Sequence, residues 1–364
     1  MTIKKAKIFL CIPILLLTVS AFTACGNSAP AVSGETTVFT DSAGREVVVP
    51  AKITKVAPSG AVATMFLASV CPDYMVCISS TPSSSQCKYL DSSIVKLPTT
   101  GQLYGSKSTI NLEALLSAEP QIIIDLGDAK DGIAGDMDSL QKQTGIPVVF
   151  IEADLPHMAN AFKMLGQLLY DRKDRCAELS DYVNETVSMA ETKSAEIPET
   201  EKVSVMYATG VSGLNANAKG STQAQVIDIT GAKNAIVVDD ISDRSGGNAI
   251  NMEQLYIFDP DVIIFTTGSM YSGASSDSSW KQVRAVAEDS YYEIPCLPYN
   301  WMSSPPSLNM LLGIRWFGNL IYPSHYDYDM MTEAQRAYRL LWNYELSDEE
   351  ARELLANSTL KKKS

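Results

Sequence analysis

The chain has 364 residues, 46% of them hydrophobic, with 29 Lys and Arg against 42 Asp and Glu and a formal charge of −13. That length allows two domains, and the acidic balance works against binding nucleic acid or anionic lipid headgroups. Two histidines exclude a His-rich metal site, and no cysteine pair has CxxC spacing.

Lys4, Lys5 and Lys7 precede an apolar run from Ile8 to Phe22, too short to span a membrane. The run ends at Phe22-Thr23-Ala24-Cys25, so residues 1–25 read as a signal peptide with a motif resembling a bacterial lipobox, Phe22 standing where Leu is usual. Lipidated Cys25 would begin the mature chain; the alternative is an ordinary signal peptide with an incidental cysteine. Cleavage removes three lysines and leaves 26 − 42 = −16, so membrane attachment has to come from the lipid. Residues 26–35, GNSAPAVSGE, read as a flexible tether. Of the remaining cysteines, Cys176 fits a helix face, and a disulfide among Cys71, Cys77 and Cys87 stays open.

The segment 37–50 predicts a hairpin around Ser42-Ala43-Gly44. ITKVAPSG followed by AVATMFLASV predicts strand, loop and helix. Residues 110–124 read INLEALLSAEPQIII, and residues 250–264 read INMEQLYIFDPDVII, identical at seven of fifteen positions at an offset of 140. Each copy predicts a short helix, a proline turn and a buried parallel strand, and two copies in register suggest two lobes of one α/β design. GIPVVFIE (145–152) is a further buried strand. From Leu155 to about Glu196, apolar residues recur every three or four positions, with Pro156 placed as first helical residue and Pro198 as stop. A single helix there would span about 60 Å; two helices broken near Tyr170–Asp174 are the alternative. KVSVMYATG, DVIIFTTGS and YYEIPCLPYN then alternate with helical stretches.

Open α/β sheets bind ligands at loops beyond the strand ends. Those loops carry Pro58-Ser59-Gly60 and Tyr104 in the first half, and Asn215, Gly220, Ser221 and Gln223 in the second. Tyr104 is suited to stack on a macrocycle or ligate ferric iron, or it is an exposed loop residue. In PYNWMSSPPSLNMLLGIRW (298–316), Ser304 as N-cap would put Pro305 and Pro306 at the first two helical positions and Ser307 at the third. So few free N–H groups poorly suit an anion. Trp301, with Tyr299 and Met302, would then wall a site for a bulky, partly apolar ligand, or else pack the second lobe as Trp316 is expected to. Ser307 completes the candidate ligand-binding set.

The leader, TDSAGREVVVP (40–50), the paired N-x-E-x-L…P units, the linking helix, GSTQAQVIDITGAKNAI (220–236) and WKQVRAVAEDSYYEIP (280–295) together resemble the substrate-binding lipoproteins of iron-complex and cobalamin ABC importers. The resemblance covers residues 36–325. It implies two Rossmann-like α/β lobes bridged by a single long α-helix: 36–153 as first lobe, 154–197 as bridging helix, and 198–364 as second lobe with C-terminal helices. It further implies a monomeric, non-enzymatic, extracytoplasmic receptor without a cofactor or resident metal, delivering iron-siderophore, haem or cobalamin to a permease dimer and its ATPase. Glu113 and Glu253 correspond to glutamates that pair with permease arginines, and are expected on the outer faces of the lobes, away from the ligand. PPSLNMLLGIRW resembles a family pattern with Asn-Arg where this chain has Asn309-Met310, which removes a cation suited to an oxyanion such as molybdate. Gln223 stands where relatives often carry His. A metal chelatase is the enzymatic alternative, but neither His157 nor His325 falls in a cleft-like loop and no nucleophile elbow is present.

Overall fold

The computed structural model describes residues 34–104, 109–242 and 246–359; the leader, Cys25 and most of the tether lie outside these. The predicted hairpin is present as β1 (Thr36–Thr40) and β2 (Glu46–Pro50). Asp41 builds its turn, with Oδ1 accepting from the N–H groups of Ala43 and Arg45. The turn clips onto a strand of the first lobe, where Ser42 N–H donates to the Phe150 carbonyl at 2.9 Å.

That lobe continues as β3 (Val56–Pro58), α1 (Ala61–Val70), α2 (Ser84–Cys87), α3 (Leu112–Ser117), β4 (Ile122–Gly127), α4 (Ile133–Thr144) and β5 (Val148–Glu152). Its parallel sheet has the order β3-β4-β5. Crossover connections bury both sheet faces, so β4 is apolar at nearly every position.

The expected connector begins later than its periodicity suggested. The segment from residue 155 forms α5 (Met158–Leu168), breaks at Leu169 (φ −109°, ψ 68°), and resumes as the long bridging helix α6 (Lys173–Glu196). At 24 residues α6 spans about 36 Å. The two helices pack on each other, each showing the other an apolar seam, so the three-and-four spacing passes unbroken through the turn. Gly166 permits the contact, since a Cβ there would meet the Cys176 Cβ at 3.1 Å. Pro198 does lie just beyond the end of α6.

The second lobe contains β6 (Ser204–Thr209), β7 (Asn215–Ala216), α7 (Gln225–Ile229), β8 (Lys233–Asn234), β9 (Asn248–Ala249), α8 (Met252–Phe258), β10 (Val262–Phe265), α9 (Arg284–Ala287) and β11 (Tyr291–Glu293). Its sheet order is β11-β10-β6-β7-β9, with β8 also on β6. The chain closes with α10 (Asn309–Ile321), α11 (Met330–Trp342) and α12 (Asp348–Leu355). These helices reach back to the first lobe: the Tyr338 ring lies 5.5 Å from Tyr89, and Lys88 pairs with Glu350 at 2.8 Å. One core therefore runs from Phe39 to Leu355 through both lobes, alongside a smaller core in each.

The repeat is structural. Asn111 and Asn251 each cap a short helix, accepting from the N–H of Ala114 and Gln254. Each helix is followed by a left-handed acidic residue, Glu119 (φ 50°) and Asp259 (φ 39°), then a buried proline, then the central strand of a parallel set. Cys71, Cys77, Cys87, Cys176 and Cys296 are free thiols, so no disulfide forms among the first three. Among the described residues no helix is long and apolar enough to cross a membrane.

Candidate functional site

At the carboxyl edge of the first sheet, β3 delivers Ser59 and β4 delivers Asp125, both buried, with the Ser59 hydroxyl bonded to the Asp125 carboxylate. Burial pushes the Asp125 carboxyl up from its usual range, against the opposing pull of the Ser59 hydrogen bond and the Lys130 charge. Gly60 follows as the residue before α1. Tyr104 is anchored above this edge, since Leu103 N–H donates to the Ser59 carbonyl at 2.8 Å. Its phenol donates to Asp136 Oδ2 at 2.8 Å, and Lys130 Nζ lies 4.0 Å from its ring centroid. Burial, then the Asp136 hydrogen bond, push its pKa up, which opposes the phenolate an iron ligand needs and leaves stacking and hydrogen bonding. Sequence reasoning missed Asp125, Lys130 and Asp136. The available signal was Asp125 itself, one carboxylate inside the apolar run IIIDLG.

In the second lobe, Asn215 sits on β7 and Gly220 is exposed in the following loop at φ +85°. Ser221 and Gln223 are buried, and the Ser221 hydroxyl is committed to the Ala218 carbonyl at 2.8 Å. In this conformation Gly220 faces solvent while Gln223 belongs to the interior.

The 298–316 stretch departs from the candidate reading at Ser304, Trp301 and Ser307. Ser304 does not cap a helix, because α10 begins only at Asn309. Asn300 organises the turn instead, its Oδ1 accepting from Met302 N–H at 2.8 Å and Ser303 N–H at 3.2 Å. Trp301 is 0% exposed and forms no wall. Its indole N–H donates to the Leu297 carbonyl, its ring packs 6.4 Å from Tyr338, and a Cβ at Gly313 would collide with its carbonyl. Ser307 is fully buried with an unpaired hydroxyl, so it too is interior. The aromatic presented toward the first lobe is Tyr299, which lines a cavity of about 50 Å³ with Thr64, Ser79, Ser80 and Gln86. Burial pushes its phenol up to about 12. Gln86 Nε2 closes the contact by donating to the Pro298 carbonyl at 2.9 Å.

Glu113 and Glu253 are exposed in the first turns of α3 and α8, and neither forms an ion pair among the described residues. Three positions on, equivalent in the repeat, stand the exposed Leu116 and Tyr256. Asn111 N–H donates to the Thr100 carbonyl, at the base of the Tyr104 loop, and β9 beside Asn251 pairs with β7, which carries Asn215. Each glutamate thus stands two residues after a capping asparagine, the first bonded to Thr100 and the second following the strand β9 that pairs with β7. His157 also departs from expectation, standing just past the carboxyl end of β5 at the start of α5.

A family model described as periplasmic binding protein matches residues 56–296. Among solved structures, an ABC transporter solute binding protein from Sulfurospirillum deleyianum is 25% identical with a TM-score of 0.79, covering 88% of this chain and 99% of that one. A periplasmic solute binding protein from Veillonella parvula is 22% identical with a TM-score of 0.74, covering 89% of this chain and 98% of that one. The molybdate-bound periplasmic binding protein MolA of Haemophilus influenzae is 16% identical with a TM-score of 0.66, covering 85% and 99%. No curated protein matches the chain.

Proposed function

The chain belongs to the periplasmic binding protein family, and on that footing we propose that it is a lipid-anchored, extracytoplasmic receptor that hands a metal complex to an ABC importer. One observation carries the reading beyond the family. The unit of capped helix, proline and central strand occurs once in each lobe, and both times its first-turn glutamate is exposed and without an ion pair among the described residues. A two-fold permease requires such duplicated contacts. The lobes are taken as 36–153 and 198–364 around the connecting segment 154–197, with Cys25 as the lipid anchor of a monomer.

The ligand class we favour is an iron-siderophore, haem or cobalamin. Tyr104 and Tyr299 supply aromatic surface, Gly60, Gly220 and Asn215 supply small polar contacts, and Asp136 stands at the first-lobe edge that also holds the buried Ser59–Asp125 pair. An oxyanion such as molybdate is the weaker reading. Met310, where related patterns carry arginine, is buried, and the nearby Arg315 is consumed by Glu185 and Glu333 at 2.7 Å each. At 16% identity the molybdate-bound Haemophilus protein shares the fold alone. No catalytic step is assigned.

Native purification followed by mass spectrometry and absorption spectroscopy of the retained ligand tests the reading. A bound macrocycle or ferric chelate supports it. Retention of a bare oxyanion alone overturns the ligand class, and catalytic metal insertion into a porphyrin overturns the receptor role.

A further inference from the structure

The receptor reading uses none of the side chains at the end of β5, where Glu152, Asp154 and His157 converge. One oxygen of each carboxylate and one imidazole nitrogen lie within 4.8 Å of one another. His157 Nδ1 is 2.5 Å from Asp154 Oδ1 and 3.6 Å from Glu152 Oε1. From this arrangement we propose a binding site for a divalent first-row transition-metal ion at the end of β5.

Three features support it. The donors stand on fixed backbone: Glu152 is in register with Gly127 and its N–H donates to Ser42 Oγ at 2.9 Å, while Asp154 Oδ1 accepts from His157 N–H at 3.2 Å. Preset ligands reduce the ordering cost of capturing an ion. The charge is also only partly compensated. Both carboxylates are largely covered, at 29% and 25% side-chain exposure, yet among the described residues their ion pairs are with His157 alone, without Lys or Arg. Finally, the donor set selects the metal. One imidazole nitrogen with two carboxylate oxygens suits Mn2+, Fe2+, Co2+ or Zn2+, whereas Ca2+ and Mg2+ prefer all-oxygen shells. Metal–ligand bonds of about 2.0–2.2 Å require Nδ1 and Oδ1 to part to roughly 3 Å, a small rotation for a half-exposed imidazole. The ion takes the place of the proton shared between them, and its remaining positions stay open to water.

The competing explanation is a cap on the turn ahead of α5, Asp154 Oδ1 accepting the His157 N–H. That role needs neither the imidazole nor Glu152, so the variants separate the two. Mature protein stripped with a chelator is titrated with Co2+ and Zn2+ by calorimetry, with the Co2+ absorption bands as a second readout. One equivalent is expected to bind, at least tenfold more weakly in His157→Ala and in Glu152→Gln, while Mg2+ gives no heat. Metal-free melting of His157→Ala should match the parent, since the cap survives. Absence of binding at millimolar metal, or equal affinity in both variants, overturns the site. Either result leaves the receptor reading standing, because that is read from the retained ligand.

Discussion

The two copies of the repeat agree at one end and part at the other. In α3–β4 and α8–β10 the cap, the glutamate, the exposed apolar residue three positions on, the left-handed acidic residue and the buried proline all coincide. One residue past the repeated stretch they diverge: Asp125 meets Ser59 at a polar edge, while Phe265 packs with Trp280 at 5.3 Å. On the proposed function this division has a physical cause. A two-fold permease presents the same surface to both lobes and so favours sameness in the docking ends. A chelate or macrocycle has no such symmetry, and the residues meeting it are free to differ.

The strongest attempt to break this comparison is the double variant Glu113→Ala/Glu253→Ala. Uptake should be abolished with ligand affinity intact, and either single variant should give a partial defect because one of two equivalent contacts survives. Transport assays and calorimetry decide it. Normal transport sinks the docking role, and lost ligand binding moves the glutamates into the cleft. In the same assay, Cys25→Ser should release the receptor from membranes or leave it unprocessed.

The next two variants sharpen the divergent end. Trp301→Ala should destabilise the protein by about 3–5 kcal/mol, the usual cost of emptying a buried aromatic site, seen as a lowered melting temperature. Tyr299→Ala, two residues away, should lower melting less than Trp301→Ala does and weaken ligand binding by roughly 1–3 kcal/mol. The reverse pattern would restore Trp301 as the wall.

The repeat was legible because caps, prolines and β-branched runs are local signals that survive in one sequence. The break at Leu169 was legible only as an alternative near Tyr170–Asp174, since an apolar period of three and four is the same for one long helix and for two helices packed seam to seam. Trp301 was left open between wall and core for a related reason. Adjacent prolines fit the start of a helix, but they also fit a turn whose donors come from elsewhere, and only the fold shows that Asn300 organises it. Asp125 was overlooked because its strand was read for hydrophobicity, under which the one charged residue is noise rather than signal.

The smallest expected effect concerns a third first-turn glutamate. Glu350 in α12 occupies a helix position like those of Glu113 and Glu253, but it has partners in its own chain. Lys88 pairs with it at 2.8 Å, Tyr344 donates to it at 2.7 Å, and Ser347 completes a capping box. The Lys88 hydrogen bond, first among these, draws its carboxyl down to about 2. A depressed carboxylate contributes stability above its unfolded pKa, near 4.5, and loses it as pH falls toward 2. Glu350→Gln removes the charge while retaining the capping geometry. Its melting temperature should therefore fall modestly below the parent's at pH 7, and the gap should close between about pH 5 and pH 2. Glu113→Gln and Glu253→Gln should show almost no such gap at pH 7, because neither carboxylate has a cation to lose among the described residues. A gap for Glu350→Gln that stays constant with pH would deny the ion pair. An equal gap for either lobe glutamate would mean it already serves the fold, weakening the case that its charge is kept for a partner.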